Sequence, residues 1–203
     1  MFRPEVGSGA IFETARILEA FHQRLAGQEF LTFNPGLALG GTEVSLDSTG
    51  VRGIASGKTN VVAARMTVTG DLRILSPTAL AETKRTMETI VAAGRPNAQA
   101  TIRFEDGYPP LPPSEGNQRL LALTDRISRD IGFGPVVGTD PMRAGAADVS
   151  FTSGIIPMAI DGIGAAGAHD HTPDETADLS VFPALIKRAA ILLHRLSRSA
   201  ATP

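Results

Sequence analysis

The chain has 203 residues, 42% of them hydrophobic and 20% charged, with 19 basic against 21 acidic side chains and no cysteine. That is too apolar for a disordered chain and enough for one or two domains, and no apolar run approaches the ~20 residues of a membrane-spanning helix. The net charge of −2 and an aromatic content of 5% make no case for nucleic acid or an anionic membrane, and the lack of Cys excludes disulfides, thiol catalysis and Cys-ligated metal.

Met1-Phe2-Arg3-Pro4 is not followed by the apolar stretch of a secretory signal. The first pattern is helical, over residues 8–26, with Ser8 as N-cap and Ile11, Ala15, Leu18, Phe21 and Leu25 at spacings of three and four. Gly27 supplies a left-handed stop. A bent strand is expected from Leu37 to Asp47, interrupted at Gly40-Gly41, with a turn-rich stretch from Asp47 to Lys58. Residues 61–75 carry a clear period of two. Met66, Val68, Leu72 and Ile74 alternate with Arg65, Thr67, Thr69, Asp71 and Arg73, as in an antiparallel strand covered on one face. Ser76-Pro77 opens a second helix whose inner stripe is Leu80, Met87, Ile90 and Val91, and Gly94 ends it. Residues 100–105 alternate again through Ile102 and Phe104.

This order of helix, strand, strand, helix, strand predicts an α+β unit of ferredoxin-like type, two helices on one face of an antiparallel sheet, lacking its first strand. Prolines 109, 110, 112 and 113 mark a linker. The expected domains are therefore 1–108 and 109–203. Beyond the linker a helix is expected over 116–131, stopped by Gly132. Two buried strands follow at Val136-Val137 and Ile155 to Ile160, and a last helix begins near Ser180. Two strands are few for a parallel sheet covered on both faces. The second half reads as part of a larger α/β domain, or as one that pairs with another chain.

The chemistry-bearing residues concentrate in Ala168-His169-Asp170-His171-Thr172-Pro173-Asp174-Glu175. Two imidazoles and three carboxylates within residues 169–175 suit a divalent metal of zinc type. The same residues also suit a solvated polar loop that caps the next helix. Gly162-Ile163-Gly164-Ala165-Ala166-Gly167 matches a dinucleotide pattern, but a polar, Pro-containing loop follows it where a helix N-terminus is needed, so it reads as a turn presenting the His loop. Arg143, Gly145 and Asp148 form a small-residue segment that could open a short helix with Asp148 inward.

Several segments together resemble peptidase family M-twenty, the co-catalytic zinc metallopeptidases and deacylases that include carboxypeptidase G, acetylornithine deacetylase, succinyl-diaminopimelate desuccinylase and aminoacylase. They are Gly57 to Val62, Thr69 to Arg73, Phe104 to Pro110, Gly145 to Phe151, Ile160 to Gly164 and His171 to Glu175. The resemblance implies a lid, or dimerisation, domain followed by the C-terminal portion of a zinc-peptidase-like α/β catalytic domain. It implies two zinc ions, or other divalent metals, with His171 as a ligand and His169 as competitor. Asn60 and Arg73 would contact the substrate carboxylate or a developing oxyanion, and Arg143, Gly145, Asp148 and Gly164 would line the site. The substrate would be a small carboxylate-bearing peptide or N-acyl amino acid, and the lid would form a homodimer. The family's remaining ligands and its Glu general base have no counterpart here, so the chain is expected to be a truncated fragment without catalysis of its own. The alternative is a non-catalytic dimerisation module with an exposed edge strand at Leu37 to Asp47. No nucleic-acid or membrane partner is implied. The compartment, cytoplasmic or periplasmic/secreted, stays open.

Overall fold

The computed structural model describes residues 7–143, 145–170 and 172–199. These fall into two compact units, 1–110 and 111–203.

In the first unit α1 spans Gly9–Leu25. Ser8 stands at its N-cap, but its backbone is helical and its side chain caps nothing, so the expected capping bond is absent. The start is fixed from outside instead, where Ala10 N donates to Ala63 O at 2.9 Å. Gly27 takes the left-handed backbone expected of a stop, with φ of +80°. β1 (Leu31–Gly41) pairs antiparallel with β4 (Arg65–Ile74), from Leu31 against Ile74 to Gly41 against Arg65. The register shifts between Pro35 and Leu37. Pro35 has no N–H to give the ladder, and an extra residue at that point is a bulge. Between these strands lies a hairpin of β2 (Glu43–Leu46) and β3 (Gly53–Ser56).

The strand expected at Leu37 to Asp47 is therefore corrected. It begins at Leu31, breaks at Thr42 and continues as β2. Asn34-Pro35-Gly36 had hidden its first half. α2 (Pro77–Ala92) opens on Ser76, whose Oγ accepts from Ala79 N, with Pro77 in the first turn.

α1 and α2 bury Ile17, Phe21, Leu25, Met87, Ile90 and Val91 together with Leu31. Phe33, Leu72 and Ile74 of the strands pack onto the same cluster. The helices are also tied by charge. Glu13, 2% exposed on α1, accepts from Arg16 Nη2 at 2.6 Å and from Arg95 N at 3.2 Å. Arg16 Nη2 also donates to Ile90 O at 3.0 Å.

Residues 100–105 behave differently from expectation. Ala100, Ile102 and Phe104 pack on the core in the predicted alternation, but the segment joins no sheet among the described residues. Alternation reports which face is buried; strand status also needs a neighbour to complete the ladder. Among the described residues, β4 has one partner strand, β1.

In the second unit α3 spans Glu115–Asp130, with Ser114 Oγ accepting from Asn117 N. β5 (Gly167–Ala168) and β6 (Thr176–Ala177) form a two-rung hairpin, and α4 spans Phe182–Ser199. Leu120 and Ile127 of α3 pack with Leu192 of α4, and Arg195 Nη2 donates to Asp130 Oδ2 at 3.0 Å. Neither predicted buried strand forms here. Val137 is 80% exposed and Ile155 78% exposed, and neither lies in a sheet. A strand buried on both faces takes its ladder from flanking strands and its burial from layers on either side. The described part of this unit has only the short β5–β6 sheet. What holds residues 157–160 is α3, through Ala159 N donating to Asn117 Oδ1 at 2.8 Å. No helix among the described residues is long and apolar enough to cross a membrane.

Candidate functional site

The histidine loop is the tip of the β5–β6 hairpin. Gly167 pairs with Ala177 and Ala168 with Thr176, so residues 169–170 and 172–175 lie in the turn between them. His169 adopts a left-handed backbone, φ of +61°, and is exposed. Its carbonyl accepts from Thr172 N at 3.2 Å and from Thr172 Oγ1 at 2.7 Å, and Thr172 Oγ1 accepts from Asp174 N at 3.2 Å. The Thr172 hydroxyl thus folds the tip into a compact turn, with Asp170, Asp174 and Glu175 on its exposed surface. Gly167 permits the hairpin, because a β-carbon there would stand 2.1 Å from Thr176 O. His171 lies outside the described residues. Asp178 follows the hairpin and accepts from Ser180 N and Oγ at 2.9 and 2.6 Å. The Ser180 hydroxyl, and then its amide, hold the Asp178 carboxyl below the usual carboxylate range.

Zinc of the expected kind needs three or four converging donors. Among the described residues, no group of three His, Asp or Glu side chains converges in this way. The described donors alone do not assemble such a site, and His171 is outside them.

In the first unit, Asn60 sits exposed in a turn closed by Val61 N donating to Lys58 O at 3.0 Å. The turn borders a hollow of about 290 Å³ lined by Gly41, Thr42, Ser56, Gly57, Lys58 and Thr59. Gly41 has to be glycine for this, since a β-carbon there would meet Ser56 O at 2.4 Å. Lys58 puts a cation on the rim beside hydroxyl and backbone groups. Lys58 lies in the Gly57 to Val62 segment, and the flanking Gly40-Gly41 and Gly57 signal the close backbone approach that forms this rim.

Arg73 lies in β4 opposite Thr32, and its Nε donates to Asp71 Oδ2 at 2.6 Å, with both side chains exposed. The hollow touches Gly40 and Gly41, which pair with Met66 and Arg65 at the other end of β4. Arg65 and Arg73 are eight residues apart, and at ~3.3 Å per strand residue that is roughly 26 Å. Asn60 and Arg73 are therefore not brought together.

Arg143 ends a 3₁₀ turn, Pro141–Arg143, and Asp148 begins another, Asp148–Thr152. Asp148 is exposed, which corrects the inward orientation expected of it. It stands at the first position of its turn, where a carboxylate meets unpaired amide N–H groups. Gly145 and Gly164 are exposed, with nothing within 4 Å of where a β-carbon would be.

The sequence profile described as Peptidase family M20/M25/M40 matches residues 5–195. No curated protein matches the chain.

Proposed function

Because this chain belongs to peptidase family M20/M25/M40, a family of metal-dependent hydrolases, we propose that its part in hydrolysis is to bind a substrate whose amide or peptide bond lies next to a free carboxylate. The match running through both units is the observation that carries this reading. Arg73 serves as the carboxylate clamp. Its Nε is engaged by Asp71, while Nη1 and Nη2 have no protein partner among the described residues, and a guanidinium edge binds a carboxylate with two parallel N–H bonds. Asn60, on an exposed turn at the other end of β4, is the alternative contact for that carboxylate. His171 is the metal ligand, with His169 as its competitor. The metal is zinc, and its other ligands and the general base lie elsewhere than in the described residues.

Zinc titration by calorimetry tests the ligand assignment. His171→Ala is expected to lose at least about tenfold in zinc affinity, which is the order of effect seen on disturbing a metal site, and His169→Ala is expected to keep it. Unchanged affinity in His171→Ala moves the role to His169. The purified chain is expected to leave N-acyl amino acids and dipeptides uncleaved. Turnover that a chelator abolishes would show that this chain holds a complete site.

One observation favours a second reading, association through the sheet. Residues 100–105 alternate in burial as a strand does yet have no backbone hydrogen-bond partner among the described residues, and β4 has a single described partner. Open strand edges recruit further strands. A metal-independent dimer in sedimentation would support this reading, and a monomer at all concentrations would remove it.

A further inference from the structure

The second unit buries few large apolar side chains. Leu120, Ile127, Leu185 and Leu192 are each at most 7% exposed, while Val137, Ile155 and Leu179 stand at 80%, 78% and 72%. α4 shows the same imbalance in a regular form. Its inward face carries Leu185 and Leu192, seven residues apart, and Leu192 packs on α3. A second apolar row runs beside it. Phe182, Ile186 and Leu193, at i, i+4 and i+11, share one helix face and are 41%, 55% and 68% exposed. The apolar stripe of α4 is thus wider than its contact with α3 covers.

The far border of this row is basic. Lys187, His194 and Arg198, at i, i+7 and i+11, line it, and Phe182–Ser199 contains no Asp or Glu. Two copies of α4 meeting face to face would set Lys187 and Arg198 against the same residues of the other copy, so self-association is disfavoured. A bilayer wants an apolar face turned away from the protein body and flanked by basic groups on both sides. Here one flank is the contact with α3.

We infer that the Phe182–Ile186–Leu193 face of α4 is a docking surface for a polypeptide element with an apolar strip edged by carboxylates. Its leucine-type side chains would extend the core begun by Leu185 and Leu192, and its Asp or Glu residues would face Lys187 and Arg198. This surface is independent of the proposed hydrolytic role, so either can fail alone.

The test uses the full chain and a synthetic helical peptide of about 18 residues, the length of α4, with leucines on one face flanked by glutamates. A second peptide has lysines in place of the glutamates. Fluorescence anisotropy is expected to show saturable binding of the acidic peptide, at least about tenfold weaker binding of the basic one, and a similar loss in Leu193→Glu. Because Leu193 is largely exposed, that variant should melt as the parent does; if it does not, Ile186→Glu provides the same reading. Equal affinity for both peptides would overturn the inference. So would binding to phosphatidylglycerol vesicles without preference for the acidic peptide, or a dimer in sedimentation that Leu193→Glu dissolves.

Discussion

Replacing Glu13 with alanine is expected to destabilise the first unit by about 3 kcal/mol, the lower end of what breaking a buried ion pair costs. Surface pairs in this chain, such as Arg129–Asp125, have solvent to replace a lost partner and are each worth about 1 kcal/mol or less. Glu13 is 2% exposed, and its removal leaves the Arg16 side chain, only 22% exposed, and the Arg95 amide short of their partner. Its loss removes both carboxylate oxygens from Arg16, unsatisfies the Arg95 amide, and frees the guanidinium that Arg16 also anchors on Ile90 O. Urea unfolding followed by circular dichroism gives the measurement, and a midpoint unchanged from the parent would refute the assignment.

The same group sets a pH dependence. The Arg16 hydrogen bond holds the Glu13 carboxyl below its usual value; burial opposes this and the Arg95 amide reinforces it. A carboxyl whose folded pKa is depressed contributes stability above its unfolded pKa of about 4.3 and loses it as pH falls through the folded value. The parent should therefore lose stability below about pH 4 more steeply than Glu13→Gln, since the amide has no charge to lose.

Gly116→Ala is the second large effect. Alanine is the better helix former by roughly 1 kcal/mol, and Gly116 lies within α3. Propensity alone thus predicts a stabilised protein. Packing predicts the reverse, because an added β-carbon would lie 1.9 Å from Pro157 O and 2.9 Å from Met158 Cβ. No side-chain rotation relieves a clash with a backbone carbonyl. The 157–160 segment would have to leave α3, taking with it the Ala159–Asn117 hydrogen bond. Overpacking at the upper end, about 3 kcal/mol, outweighs the propensity gain. A thermal melt lower than the parent's is expected, and a higher one would mean that the 157–160 segment is not seated on α3.

These positions show what the amino-acid pattern carried and what it did not. α1, α2, α3 and α4 were legible because their apolar spacing of three and four is imposed by the layer each one covers. β4 was legible because one of its faces meets the helices. β3 left no trace: Gly53-Ile54-Ala55-Ser56 is exposed throughout, so no alternation was written into it. Residues 155–160 misled in the opposite direction. Their unbroken apolar character belongs to a segment made for burial, yet in the described fold Ile155 and Ile156 are at the surface. For the site, residue types were readable and placement was not. The hairpin that carries His169 has strands of two residues, too short to print a period, and the separation of Asn60 from Arg73 depends on the register of β1 and β4.

The Glu13 tie also determines how the first unit responds to a cut. Residues 13 and 95 are joined directly, and Gly7 lies against Asn97, whose Cβ would be 3.1 Å from a β-carbon on Gly7. The polypeptide between them makes a closed circuit, with the exposed Asp47–Arg52 turn at a far point along it, held by Asp47 accepting from Thr49 and Gly50. Residues 100–104 then continue past this closure and add Ala100, Ile102 and Phe104 to the same core. A proteolytic nick at the exposed Asp47–Arg52 turn would therefore leave two pieces still fastened to each other through Glu13 and Arg95.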